Sequence, residues 1–165
     1  MPERPFQLLF TAEHASNAVP ARYRAVAERA GAALDTHRGY DPGTAELARR
    51  LARAFQAPLV LGRYSRLLIE LNRSLHHPRL WSEFSRSLPP GQKRELIADY
   101  YQPYRDEVAG HIQRLARHGC VLHISVHSFT PELEGQVRTA DIGLLYDPAR
   151  RAEAAFCARW KEVLQ

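Results

Sequence analysis

"CVLHISVHSFTP", residues 120–131, runs apolar as far as Val126 and then turns abruptly into His127, Ser128, Phe129, Thr130 and Pro131. A short apolar run halted by proline reads as a buried strand, so its exit carries an imidazole and a hydroxyl. "FQLLFTA" (6–12) is a second such run, and it opens onto Glu13, His14, Ala15, Ser16 and Asn17. Two further strands are expected at "APLVLG" (57–62) and "RLLIELN" (66–72), separated by a short turn, with the latter exiting through Asn72, Arg73 and Ser74. A last strand is expected at "DIGLLYD" (141–147).

Helical patterns alternate with these runs. "PARYRAVAERAG" (20–31) reads as a short helix closed by Gly31. Asp41 before Pro42 suits the N-cap and first helical position of a helix that runs to about residue 56 through Leu47, Leu51 and Phe55. From Pro90 to His118 a long helical period passes through Leu96, Tyr104, Val108 and Leu115, with a kink expected at Pro103. "ARRAEAAFCARWKEVLQ" closes the chain as a helix. Apolar strands alternating with helices predict an α/β fold, with a mostly parallel or mixed sheet covered by helices on both faces.

At 165 residues the chain has the size of one domain, residues 1–165. Its composition, 45% hydrophobic and 25% charged, is that of a globular protein. No apolar run approaches the ~20 residues a bilayer span needs, and the N-terminus lacks a signal-peptide pattern, so a cytoplasmic protein without membrane partners is expected. Cys120 and Cys157 stand alone, outside any paired ligand motif. The net charge is +5, but all except two of the 23 basic residues are scattered arginines without interleaved aromatics, which argues against a nucleic-acid partner.

In parallel α/β sheets ligands bind beyond the carboxyl ends of the strands. The strand exits here deliver His14, Asn72, Arg73 and His127 to one edge, where Asp41 at a helix start is placed to join them. Two imidazoles and a carboxylate with an open position form a recurring hydrolytic zinc site, because the ion lowers the pKa of its bound water to ~7. Arg66 and Arg73 would then divide two tasks, gripping a substrate carboxylate and stabilising an oxyanion. Each residue also has a plainer reading: Asp41 as a cap, Asn72 as a turn former, Arg73 as a surface ion pair. Glu70, inside an apolar run, needs a partner, and Arg66 is the one parity supplies. His123 shares a strand face with His127 and is a candidate supporting group. Tyr100, Tyr101 and Tyr104 read as core and rim.

"EHASNAVP", "DTHRGYDPG", "SRLLIELNRS", "SVHSFTP", Arg138 and "DIGLLYD" resemble, in order and spacing, the N-formylglutamate amidohydrolase family. The resemblance implies kinship with zinc carboxypeptidases and aspartoacylases and their three-layer α/β sandwich. It implies His14 and His127 as zinc ligands, Asn72 and Arg73 as binders of a substrate carboxylate, and Arg66 and Arg138 as further anion or oxyanion contacts. Ser128 and Thr130 join the substrate-binding set. Relatives place a glutamate three residues after the first histidine, where this chain has Asn17, so Asp41 is the expected third ligand, with Asp35 and His37 as rivals. The family usually carries Asp where Glu70 stands.

Members commonly run to about 250 residues, and related hydrolases carry a glutamate base in the part beyond Gln165. Three readings stay open: a truncated member that binds better than it turns over, another acid such as Glu13 or Glu132 as base, or a fragment. The expected activity is metal-dependent removal of the acyl group from a small N-acyl acidic amino acid such as N-formylglutamate. Its rivals are the same chemistry on another acyl amino acid or peptide, and a silent protein that binds acidic ligands.

Overall fold

The computed structural model describes residues 6–133 and 135–164. These fall into two compact units, one ending at Phe129 and the other beginning at Thr130.

The first unit is built on three strands, β1 (Phe6–Ala12), β2 (Leu59–Leu61) and β3 (Cys120–Ser125), in the order β2-β1-β3. Both pairings are parallel, with Phe10 opposite Leu59 and Thr11 opposite Ser125. Helices α1 (Arg24–Ala30), α2 (Thr44–Ala54), α3 (Pro90–Leu96) and α4 (Gln102–Ala116) complete it. Alternation along β1 sends its side chains to two cores. Phe10 and Ala12 pack with Ala48 and Ala52 of α2, whereas Leu9 joins Val26 of α1, Leu96 of α3 and Tyr104 of α4. Helices therefore cover both sides of a short parallel sheet, which is the expected α/β class.

Three expectations need correction. Residues 66–72 form no strand. Leu68, Ile69 and Leu71 are buried as predicted, but the backbone is satisfied by turns, with the Leu68 amide donating to Ser65 and the Glu70 amide to Leu80. A brief apolar run reports burial and does not by itself distinguish a strand from a buried turn. Asp41 is not a cap: the N-cap of α2 is Gly43, at φ 81°, and the Asp41 carboxylate is used elsewhere. Residues 141–147 are irregular and largely exposed, Leu145 fully so, leaving no buried face to favour a strand.

Pro103 disturbs the hydrogen bonding of the long helix without ending it. Lacking an amide hydrogen, it leaves no donor for the carbonyl four residues back, and the preceding residues Ile97–Tyr101 widen into a π turn in which the Gln102 amide reaches Ile97. Tyr101 and Tyr104 leave this region buried, with their hydroxyls donating to the Arg73 carbonyl (2.7 Å) and to Glu13 (2.9 Å).

The second unit holds a two-residue hairpin, β4 (Glu132–Leu133) and β5 (Gln136–Val137), and helix α5 (Arg151–Leu164). Gly135, at φ 77°, lies in its turn. Among the described residues no helix is long and apolar enough to cross a membrane.

Candidate metal centre

The carboxyl ends of β1 and β3 lie side by side because the strands are parallel and in register, so the residues that follow them meet. The His14 and His127 rings are 4.9 Å apart between centroids. Asp41 closes the group from the loop before α2, and its own amide donates to the His14 carbonyl at 2.9 Å. One donor atom from each of His14, Asp41 and His127 lies within 4.8 Å of the others.

Both imidazoles turn the same nitrogen inward. Asp41 Oδ2 is 3.3 Å from His14 Nδ1, 2.8 Å from His127 Nδ1 and 3.4 Å from the Ser128 amide. The outward nitrogens are held as well. His14 Nε2 is 2.5 Å from Glu70 Oε1, and His127 Nε2 is 2.9 Å from Ser125 Oγ and 3.4 Å from both Glu13 Oε2 and the side-chain Nδ2 of Asn72. A histidine whose outer nitrogen is fixed in this way has its tautomer and ring plane set for metal binding. Two imidazoles and one carboxylate, each braced from behind, fit a first-row divalent cation.

Arg66 links two of the acids. Its Nε and Nη2 donate to Glu70 Oε2 at 3.0 and 2.8 Å, and its Nη1 reaches Asp41 Oδ1 at 3.4 Å. Of the five guanidinium N–H groups two remain for another acceptor. Glu70 Oε1 also accepts from the Asn72 backbone N–H at 3.0 Å. Burial would raise the Asp41 carboxyl, but the hydrogen bonds and charges of His127 and His14 outweigh it and hold it well below the usual carboxylate range. Burial would depress His14, but its bonds to Asp41 and Glu70 raise it above the ordinary value.

Of the residues singled out from sequence, the structure brings together His14, Asp41, His127, Glu13, Arg66, Asn72 and the Ser128 backbone. Arg73 is exposed, and among the described residues its guanidinium has no carboxylate partner. Asp35 and His37 are exposed and stand outside the group, with Asp35 accepting from Asn17 at 2.9 Å. Thr130, Glu132 and Arg138 belong to the second unit, where the Arg138 amide donates to the Pro131 carbonyl at 2.8 Å. The link between Glu70 and His14 was not foreseen. Its signal was a buried acid with about four lone-pair directions, more than the single predicted arginine partner fills.

This is an α/β protein whose polar centre sits at the carboxyl edge of a parallel sheet, the usual place for ligands and catalysis in such folds. The chain belongs to the N-formylglutamate amidohydrolase family, a family of hydrolases, whose model matches residues 6–165. It is similar to a solved structure described as gene product Atu2144 from Agrobacterium tumefaciens, at 30% identity and a TM-score of 0.81. That likeness covers 92% of this chain, which spans 64% of the length of the Agrobacterium protein. No curated protein matches significantly.

Proposed function

We propose that the protein is a zinc-dependent amidohydrolase that removes the acyl group from a small N-acyl acidic amino acid, N-formyl-L-glutamate first among them. The observation that carries this reading is the convergence of His14, Asp41 and His127 within 4.8 Å in a chain of that family. We also assign the layered α/β arrangement to the zinc carboxypeptidase type, with support from helices on both faces of the parallel sheet.

His14, Asp41 and His127 would hold the ion. When bound, zinc polarises an acyl oxygen and makes water acidic enough to act near neutral pH. The chain's own groups do the rest. Arg66, anchored on Glu70 and Asp41, directs its two remaining N–H groups toward the oxyanion that forms when water adds to the acyl carbon. Asn72 and Arg73 bind a substrate carboxylate, for which an exposed guanidinium is suited. Ser128 adds a contact beside His127. For Thr130 and Arg138 as substrate contacts the support is the sequence segment alone. Scission of the C–N bond then releases the acid and the free amino acid.

The test combines metal analysis with a deformylase assay. Stoichiometric zinc, activity abolished by His127→Ala and preference for N-formylglutamate across a panel of N-acyl amino acids are expected. Full activity in metal-free protein would overturn the proposal.

A further inference from the structure

Asn72 and Arg73 lie in a stretch, 70–74, with no strand or helix to fix its backbone. Individual hydrogen bonds do so instead. On one side the Asn72 backbone N–H donates to Glu70 Oε1 at 3.0 Å and the Arg73 N–H to the Glu70 carbonyl at 3.3 Å. On the other, the Tyr101 hydroxyl donates to the Arg73 carbonyl at 2.7 Å. No backbone amide among the described residues takes that carbonyl. Arg105 Nη1 adds a longer contact to the Leu71 carbonyl at 3.5 Å.

Tyr101 is itself firmly held. It is 4% exposed and belongs to the same core cluster as Leu71 and Leu80. In an unbroken α-helix it would lie about 140° around the axis from Leu96. The π turn over Ile97–Tyr101 takes in an extra residue, and both side chains are thereby buried. Arg105, one turn further along, has its guanidinium 6.0 Å from the Tyr101 ring centroid. The hydroxyl of this rigid ring is thus spent on the peptide that joins Arg73 to Ser74. With the amides bound on one side and the carbonyl on the other, the directions in which Asn72 and Arg73 leave the backbone are set.

We propose that Tyr101, assisted by Arg105, is a positioning residue: by holding the Arg73 carbonyl it aims the side chains of Asn72 and Arg73 at a substrate carboxylate. This role rests on the reading of Asn72 and Arg73 as carboxylate binders for its consequence, and on hydrogen-bond geometry alone for its premise.

Tyr101→Phe removes one hydroxyl and keeps the ring. Tyr23→Phe is the control, since it removes a hydroxyl from an equally buried ring whose contact is to the Gln92 carbonyl, outside the stretch 70–74. The first readout is backbone ¹⁵N relaxation of the ligand-free full chain. Lower order at Arg73 and Ser74 is expected in Tyr101→Phe, with β1 and α2 unchanged and no such loss in Tyr23→Phe. If Tyr101→Phe fails to fold, Arg105→Ala, at an exposed position, decides by the same readout. The second is the affinity for glutarate by calorimetry and the KM for N-formylglutamate. Both should weaken about 3–10-fold in Tyr101→Phe, the worth of one hydrogen bond, with kcat nearly constant. Unchanged order at Arg73 would overturn the inference, as would altered order with affinity and KM intact, or an equal effect in Tyr23→Phe. A parent chain that neither binds glutarate nor hydrolyses N-formylglutamate would sink the substrate reading, and the relaxation comparison still decides whether Tyr101 holds Arg73.

Discussion

His14 is clamped between two carboxylates, its Nε2 2.5 Å from Glu70 Oε1 and its Nδ1 3.3 Å from Asp41 Oδ2. Glu70 acts from behind the ring, and Arg66 and the Asn72 amide hold it in turn. Glu70→Ala should therefore weaken zinc binding by about 10–100-fold. Glu70→Gln, which keeps an acceptor but loses the charge, should weaken it less. Chelator competition measures both, and equal affinities in all three proteins would show that Glu70 has no hold on the ring.

The acids also set the pH dependence of stability in the metal-free chain. Burial would raise the Glu70 carboxyl, but the bond and charge of His14, followed by Arg66, hold it at about 2 against an ordinary 4.5. A carboxyl lowered by folding adds stability above its unfolded value, and that stability is lost as pH falls through the folded one. Urea denaturation should thus show stability declining from about pH 4.5 to about pH 2, with a shallower decline in Glu70→Gln. His14 has the opposite sign: its contribution is full below its ordinary 6.5 and lost as pH rises through its raised value. An acid limb unaltered by Glu70→Gln would contradict this assignment.

Gly62 lies against the backbone of the site. Its amide donates to the Ala12 carbonyl at 2.8 Å, and a Cβ there would sit 1.9 Å from the Glu13 carbonyl oxygen. No rotamer relieves a clash with backbone. Gly62→Ala should cost about 1–3 kcal/mol of stability and also weaken zinc binding, because it displaces Glu13 and His14 together. Thermal denaturation with and without zinc separates the two effects.

Arg73 offers a cleaner binding test, since its exposed guanidinium supports no ion pair among the described residues. Arg73→Ala should leave stability within about 0.5 kcal/mol. The KM for N-formylglutamate should rise at least about tenfold, with a much smaller change in kcat. A fall in kcat at constant KM would place Arg73 outside substrate binding.

Leu68 is fully buried in a segment without regular structure. Leu68→Ala should cost about 2–5 kcal/mol, as in a regular core element. A loss near zero, read by urea denaturation, would mean that the segment does not pack as described.

The parallel strands and their histidines were legible in the sequence because an apolar run broken by a polar residue records both burial and an exit. Asp41 was legible as a companion of the two histidines, but its local signal was ambiguous. Asp-Pro satisfies the rules for a helix start, yet two imidazoles outcompete a cap that Gly43 supplies with backbone alone. The segment 66–72 was legible in burial and not in shape, since its partner groups, Ser65, Leu80 and Ser82, lie in turns that carry no periodic signal. The same misreading hid the bond between Glu70 and His14. Parity along a supposed strand assigned Glu70 to Arg66, which does bond to it, but a turn leaves the second oxygen free for a ring brought in from β1.

The most direct measurement is equilibrium dialysis against zinc of the parent chain, His14→Ala, His127→Ala and the double variant, followed by metal analysis. One zinc per chain is expected in the parent, with sharply reduced binding in each single variant and none in the double. Equal zinc in all four proteins, or none in the parent, would contradict a metal centre formed by His14, Asp41 and His127.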